Sequence, residues 1–196
     1  MNTLIRPVVV MLALFTVLTG LVYPAAVTGV ARLAFPQAAS GSLVRRGDTV
    51  VGSSLVGQNF SDPKYFWGRL SATAPQPDNG LASGGSNYGP LNPALFDAVK
   101  GRIQALQAAD PGNTRAVPVD LVTASGSGLD PEISIAAARY QADRVARVRG
   151  LPAAAVRDLV DRLSRGRLLG LLGEPRINVL MLNLALDDLG GRNGHS

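Results

Sequence analysis

Few residues in this chain have the types and spacing that chemistry could use. The single histidine, His195, sits one residue from the end of the sequence in a Gly-Gly-Arg-Asn-Gly context. No second histidine stands beside it, so neither a histidine metal site nor a Ser-His-Asp triad is indicated. Cysteine is absent, which removes thiolate nucleophiles, thiolate metal sites and disulfides together. Ser61-Asp62-Pro63-Lys64 has the Ser-x-x-Lys spacing of acyl-transfer enzymes. That chemistry needs serine and lysine on one helix face, whereas Asp-Pro favours a turn or a helix start, and no Ser-Asp-Asn or Lys-Thr-Gly partner follows. Ser83-Gly84-Gly85-Ser86-Asn87 could wrap an anion with backbone N–H groups, yet it carries no phosphate-loop lysine. Ser125-Gly126-Ser127-Gly128 has the better setting, between a strand candidate and a helix start, but strand-to-helix turns use these residues for geometry alone. The carboxylates are scattered apart from Asp187-Asp188. The sequence therefore predicts no catalytic residues, no metal site and no firmly bound cofactor.

The elements around these residues indicate a compartment. Pro7 to Ala31 is an uncharged stretch bounded by Arg6 and Arg32. As a helix it would be roughly 37 Å long, against a hydrocarbon core of about 30 Å. We read residues 1–35 as a leader and a single transmembrane anchor, in which Pro24 kinks or ends the span and Tyr23 marks an interface. A cleaved signal peptide is the competing reading, but Ala25-Ala26-Val27 is a poor cleavage site. Val10, Ala13, Val17 and Gly20 form a small and β-branched face suited to close helix approach. Arginines flank both ends of the span, and the short leader favours a cytoplasmic N-terminus. The remainder would then lie outside the cytoplasm.

Residues 36–42 read as a linker, 43–190 as one mixed domain of α+β or α/β class, and 191–196 as a mobile tail. Leu43 to Arg46 and Thr49 to Val51 predict a hairpin about Gly47-Asp48. Tyr65-Phe66-Trp67 predicts a core strand, and Ser71 to Pro93 a long loop. Asn92-Pro93 opens a helix to about Ala109, and Val119 to Thr123 suits a short buried strand. Asp130-Pro131-Glu132 signals a helix start running to Arg149, closed by Gly150. After Pro152, the residues Val156, Leu159, Val160 and Leu163 share one helical face. Asp143/Arg147, Asp158/Arg162 and Asp161/Arg165 have favourable i,i+4 spacing. Ile177 to Leu189 is apolar enough for a helix or a strand. The net charge is +5, carried by arginines and by only two lysines, Lys64 and Lys100. No basic run is interleaved with aromatics, so nucleic acid is not an indicated partner.

Five blocks in order resemble the C subunit of the Kdp-type potassium-transporting ATPase. They are residues 52–60 (Gly-Ser-Ser-Leu-Val-Gly-Gln-Asn-Phe), 66–73 (Phe-Trp-Gly-Arg-Leu-Ser-Ala-Thr), 84–90 (Gly-Gly-Ser-Asn-Tyr-Gly-Pro), 117–131 (Val-Pro-Val-Asp-Leu-Val-Thr-Ala-Ser-Gly-Ser-Gly-Leu-Asp-Pro) and 178–187 (Asn-Val-Leu-Met-Leu-Asn-Leu-Ala-Leu-Asp). The chain departs from the family pattern at Glu132-Ile133-Ser134-Ile135, usually His-Ile-Ser-Pro, and at Leu70, usually proline. The resemblance implies an accessory, non-catalytic subunit of the cell inner membrane. Its implied partners are a potassium-binding channel-like subunit, an ATP-hydrolysing P-type subunit and the lipid bilayer. It also implies one of two roles: a chaperone raising ATP affinity through contact at Ser83, Gly84, Gly85, Ser86 and Asn87, or an extracytoplasmic cap near the potassium entrance. Our topology favours the cap, because ATP is cytoplasmic. Trp67 and Arg69 are candidate docking residues in that case, or core residues beneath a surface loop. The alternative outside this family is a membrane-anchored binding protein or enzyme unrelated to transport.

Overall fold

A computed structural model describes residues 2–193, so His195 and the end of the 191–196 segment lie outside the described residues. The chain divides into two compact units, Met1–Val51 and Gly52–Ser196.

The first unit is built on one long helical run. Helix α1 (Asn2–Val17) passes through a π-helical turn (Leu18–Val22) into α2 (Tyr23–Ala34). The wide turn is a consequence of Pro24, which has no N–H to give to Gly20. The Tyr23 N–H reaches Leu18 O instead, and the chain continues without a break. The expected kink is thus absorbed as a bulge, and the spacing from Val17 to Gly20 is that of a wide turn rather than of an α-helix. Leu4–Ala34 is a 31-residue helix, long and apolar enough to cross a membrane, with none of it buried in the protein. A single turn of helix, α3 (Pro36–Ala39), occupies the linker stretch. Strands β1 (Leu43–Arg46) and β2 (Thr49–Ser53) then form the expected two-stranded sheet. Gly47, at φ 59°, supplies the left-handed residue of their turn. The boundary between the units falls inside β2.

The second unit is a helical body with a small antiparallel ladder. It contains α4 (Pro93–Ala109), a 3₁₀ turn (Val119–Leu121), β3 (Glu132–Ser134), α5 (Ile135–Arg149), α6 (Ala153–Leu163), β4 (Arg176–Asn178) and α7 (Val179–Asn193). Pairing of β3 with β4 is antiparallel, with Ile133 opposite Ile177, so the body is α+β rather than α/β. Both isoleucines are buried, and they join Val145, Val156, Leu182 and Leu186 in one core. Helix α5 turns its alanines inward, with Ala137, Ala138 and Ala146 at 2% exposure or less. Small side chains there let α6 approach closely. Val156, Leu159 and Val160 of α6 fill that contact as their spacing predicted, with Leu163 packed at its edge.

Three expectations of local structure are corrected, and the open choice at 177–189 is resolved. Tyr65 to Trp67 is buried at Phe66 and Trp67, but it forms no strand. Val119–Leu121 is a 3₁₀ turn, not a strand. The start of α5 lies beyond Asp130-Pro131. Asp130 closes a local turn onto the Glu132 N–H, residues 132–134 pair with β4, and the cap is Ser134, whose Oγ accepts from Ala137 N–H at 3.0 Å. Ile177 to Leu189 is both strand end and helix. Asn178 ends β4 and caps α7 by accepting the Met181 N–H at 3.0 Å, while its Nδ2 donates to Ser54 O at 2.9 Å. The i,i+4 ion pairs give way to pairs between elements. Arg147 meets Asp110 at 2.9 Å, Arg139 meets Asp161 at 2.9 Å, and Asp143 faces Arg115 and Arg157. The pairs exposed on both sides, Arg139–Asp161 and those of Asp143, contribute at most about 1 kcal/mol each, whereas Asp110 is buried.

Candidate functional site

Trp67, Arg69 and the glycine-rich loop at 83–87 belong to one continuous arrangement around the 60–73 segment. Its backbone meets another segment in a parallel bridge at Leu70 and Ala124, where the Ser125 N–H donates to Leu70 O at 3.0 Å, and at Phe66 and Trp67 side-chain amides take the place of a strand partner. Asn183 of α7 accepts the Phe66 N–H at 2.9 Å and donates to Phe66 O at 3.0 Å. Gln141 of α5 accepts the Trp67 N–H at 2.8 Å and donates to Trp67 O at 3.1 Å. Each amide reproduces both bonds of a strand ladder for one residue, and both amides are about 1% exposed.

The Trp67 indole is a core residue, 6% exposed, and its Nε1 donates to Asp62 O at 3.0 Å. Two guanidinium groups lie over its ring, Arg102 at 5.0 Å and Arg144 at 4.8 Å from the centroid. Burial lowers the pKa of both, that of Arg144 to about 10, which still leaves it charged at neutral pH. The charge is offset by acceptors. Arg144 donates to Pro63 O, to Tyr65 O at 3.1 Å and to Gln141 Oε1 at 2.8 Å. Arg102 donates to Leu121 O and Gly68 O, both at 3.0 Å. Arg69 is partly buried, pairs with Asp130 at 3.0 Å and donates to Ala124 O at 3.1 Å. These arginines hold the 62–70 segment against α4, α5 and the 119–124 segment.

The long loop is ordered by its own hydroxyls. Ser71 Oγ donates to Gly128 O at 2.7 Å and accepts the Asp78 N–H at 2.9 Å, while Thr73 Oγ1 donates to Gln76 O at 2.8 Å. The two glycine-rich segments of the sequence meet here. Gly84 N–H and Ser83 Oγ both donate to Ser127 O, at 2.8 and 3.0 Å. Gly128, at φ 67°, has no room for a side chain, because a Cβ would stand 2.5 Å from Thr73 Cγ2 and 2.7 Å from Gly84 O. A Cβ on Gly85 would meet Gly126 O at 3.0 Å, a tighter approach than most side chains make. The donors that could have wrapped an anion are thus partly used to tie one loop to the other.

Elsewhere the chemistry-bearing groups have structural partners. Asp62 accepts the Lys64 N–H at 3.0 Å and pairs with Lys64 Nζ at 3.1 Å, so Ser61-to-Lys64 is a capped turn. That backbone hydrogen bond holds the Asp62 carboxyl below its usual range, and the pair raises Lys64. Asp187 binds Arg149 at 2.7 Å. No group of three metal-ligating side chains occurs among the described residues.

A profile of the family described as the K+-transporting ATPase c chain, KdpC, matches residues 5–188. The chain belongs to the KdpC family. A potassium-transporting ATPase KdpC subunit from Variovorax paradoxus is 69% identical over 187 residues, covering 95% of this chain and 97% of that protein. Subunits of the same name from Polaromonas naphthalenivorans and a Janthinobacterium species are 66% and 61% identical, each covering at least 95% of both chains. KdpC membership accords with an apolar N-terminal helix followed by a mixed body.

Three structural features of this KdpC chain escaped sequence reasoning. Gln141, Arg144 and Asn183 look like ordinary surface residues of helices. Their signal lies in spacing: Gln141 and Arg144 share the inward stripe with Ala137 and Ala138, a position where polar residues require partners. Arg102 on α4 carries no comparable signal. The third feature is an exposed hairpin at 165–176. Arg165 and Arg176 exchange backbone hydrogen bonds at 2.8 and 3.0 Å, and Leu168 and Leu172 do so at 2.8 and 3.0 Å.

Proposed function

We propose that this chain is the non-catalytic, single-span accessory subunit of a potassium-transporting ATPase in the cell inner membrane. It assembles with a potassium-binding channel-like subunit and an ATP-hydrolysing P-type subunit. Its N-terminus is cytoplasmic, and the unit from Gly52 onward is an extracytoplasmic cap that stabilises the complex. The observation that carries this reading is the 31-residue apolar helix Leu4–Ala34, none of it buried, in a chain whose second unit completes its own core. Such a helix is stable only in lipid or against other membrane helices. The relatives' names supply the transporter.

The family's chaperone mechanism, with nucleotide at Ser83 to Asn87, is the weaker reading. Gly84 N–H and Ser83 Oγ already donate to Ser127 O, and the loop has no lysine or arginine of its own. An anchored enzyme or binding protein unrelated to transport fits poorly with a family match along nearly the whole chain.

Affinity purification of the tagged full chain from mild detergent extracts is expected to bring down both large multi-span partners. Ala13→Leu with Gly20→Leu, which enlarges an exposed small-residue face, should lower that recovery roughly tenfold by blocking close helix approach. Undiminished recovery would assign the attachment to the extracytoplasmic unit alone. Wild-type chain that recovers neither partner would contradict the proposal.

A further inference from the structure

The hairpin between α6 and β4 ends in an unusual tip. Leu168, Leu169, Leu171 and Leu172 are 66%, 85%, 82% and 61% exposed, around Gly170. Leu169 and Gly170 both adopt positive φ, 53° and 74°, so the tip is a tight turn that holds the leucines outward. Four adjacent aliphatic side chains in water are costly, and a contiguous patch of this kind marks a contact.

Charge around the tip indicates the contact's chemistry. Arg167 is matched by Glu174 at 2.9 Å, and Arg176 by Glu132 at 2.7 Å. Arg162 and Arg165, at the base of the hairpin, are exposed and make no ion pair among the described residues. The surface is therefore an aliphatic tip with two cations behind it that make no ion pair among the described residues, although Asp158 and Asp161 precede them by one helical turn. Protein interfaces concentrate energy in Trp, Tyr and Arg anchors, with Leu under-represented, and the tip contains no aromatic residue. Leucines ahead of arginines suit a bilayer interface, where the apolar groups enter the acyl boundary and the guanidinium groups meet phosphates.

We infer that the Leu168–Leu172 tip inserts shallowly into an anionic lipid surface, with Arg162 and Arg165 bound to its headgroups, as a second membrane contact separate from the N-terminal helix. The inference holds for either orientation of the anchor, because it requires only lipid on the side where the domain lies. Each arginine at such a surface shifts the docked-to-free ratio about fivefold.

The test uses the full chain in vesicles, with an environment-sensitive fluorophore on a cysteine introduced into this cysteine-free sequence. Leu169→Cys places the label at the tip, and Ala154→Cys places it on an exposed position of α6 as the control. In phosphatidylcholine vesicles containing phosphatidylglycerol, a doxyl quencher high on the acyl chain is expected to quench the label at 169 at least about threefold more than that at 154. The difference should shrink without phosphatidylglycerol. Arg162→Glu with Arg165→Glu should lower the docked-to-free ratio by at least about 25-fold. Equal quenching at both positions, or quenching indifferent to anionic lipid and to charge reversal, would overturn the inference. So would a tip label that becomes shielded only when the other transporter subunits are present, which would assign the leucines to a protein contact.

Discussion

Replacement of Arg144 by methionine is expected to lower the stability of the second unit by about 3–5 kcal/mol, or to prevent its folding. Methionine preserves much of the volume and removes the fork of donors. Pro63 O, Tyr65 O and Gln141 Oε1 then lose a charged partner at a position only 1% exposed, and Trp67 loses one of its two stacked cations. A carbonyl stranded in the interior costs about 1–3 kcal/mol. Removing the charge also ends its own desolvation cost, and the expected loss is net of that gain. Arg144→Lys should recover only part of the loss, because an ammonium cannot span the three acceptors as a planar fork. Denaturant unfolding of the full chain in mild detergent provides the measurement, followed by fluorescence of Trp67, the chain's single tryptophan. A loss under about 1 kcal/mol would show that water or neighbouring donors replace the arginine.

Asn183→Leu is expected to cost about 2–5 kcal/mol, because two buried backbone groups lose their partners in one nearly isosteric change. Among the described residues Phe66 N–H and C=O are bonded through this amide alone, and Phe66 is fully buried. Asn183→Asp separates the two bonds: its carboxylate still accepts the N–H but repels the carbonyl. The same unfolding measurement should rank wild type above both variants. It should also show near-additivity with surface changes on α6 and strong non-additivity with Gln141→Leu, which frees the adjacent residue. Wild-type stability in Asn183→Leu would mean that the 62–70 segment is held by its aromatic burial alone.

The division between what sequence shows and hides follows from the range of the interactions. Helix α4 announces itself through Asn92, whose side chain accepts the Ala94 N–H, and Pro93, because a cap acts within one turn. Helix α6 is legible from Val156, Leu159, Val160 and Leu163, since one buried face imposes its own period. The anchor is legible because solvation in lipid depends on composition more than on partners. The 65–67 segment is different. It has the aromatic content of a strand, but its hydrogen-bond partners lie 74 and 117 residues away and are side chains, which no local pattern encodes. The Asp130-Pro131-Glu132 signature is a real turn signal used for another purpose, with Asp130 holding Arg69 while Ser134 caps α5. At the candidate site, the Ser83–Asn87 and Ser125–Gly128 segments were visible as unusual loops, whereas their mutual hydrogen bonding was not. The 168–172 leucines stood in the sequence throughout, but only the hairpin shows them facing solvent.

The central claim, a membrane-anchored subunit with its second unit outside the cytoplasm, is tested most directly by accessibility in intact cells. A cysteine at Ser83 should react with a membrane-impermeant thiol reagent, because Ser83 is exposed on the second unit, and a cysteine at Asn2 should react only after the cells are opened. The opposite pattern, labelling at Asn2 and protection at Ser83, would place the loop in the cytoplasm, contradict the cap and return the nucleotide-contact mechanism to first place.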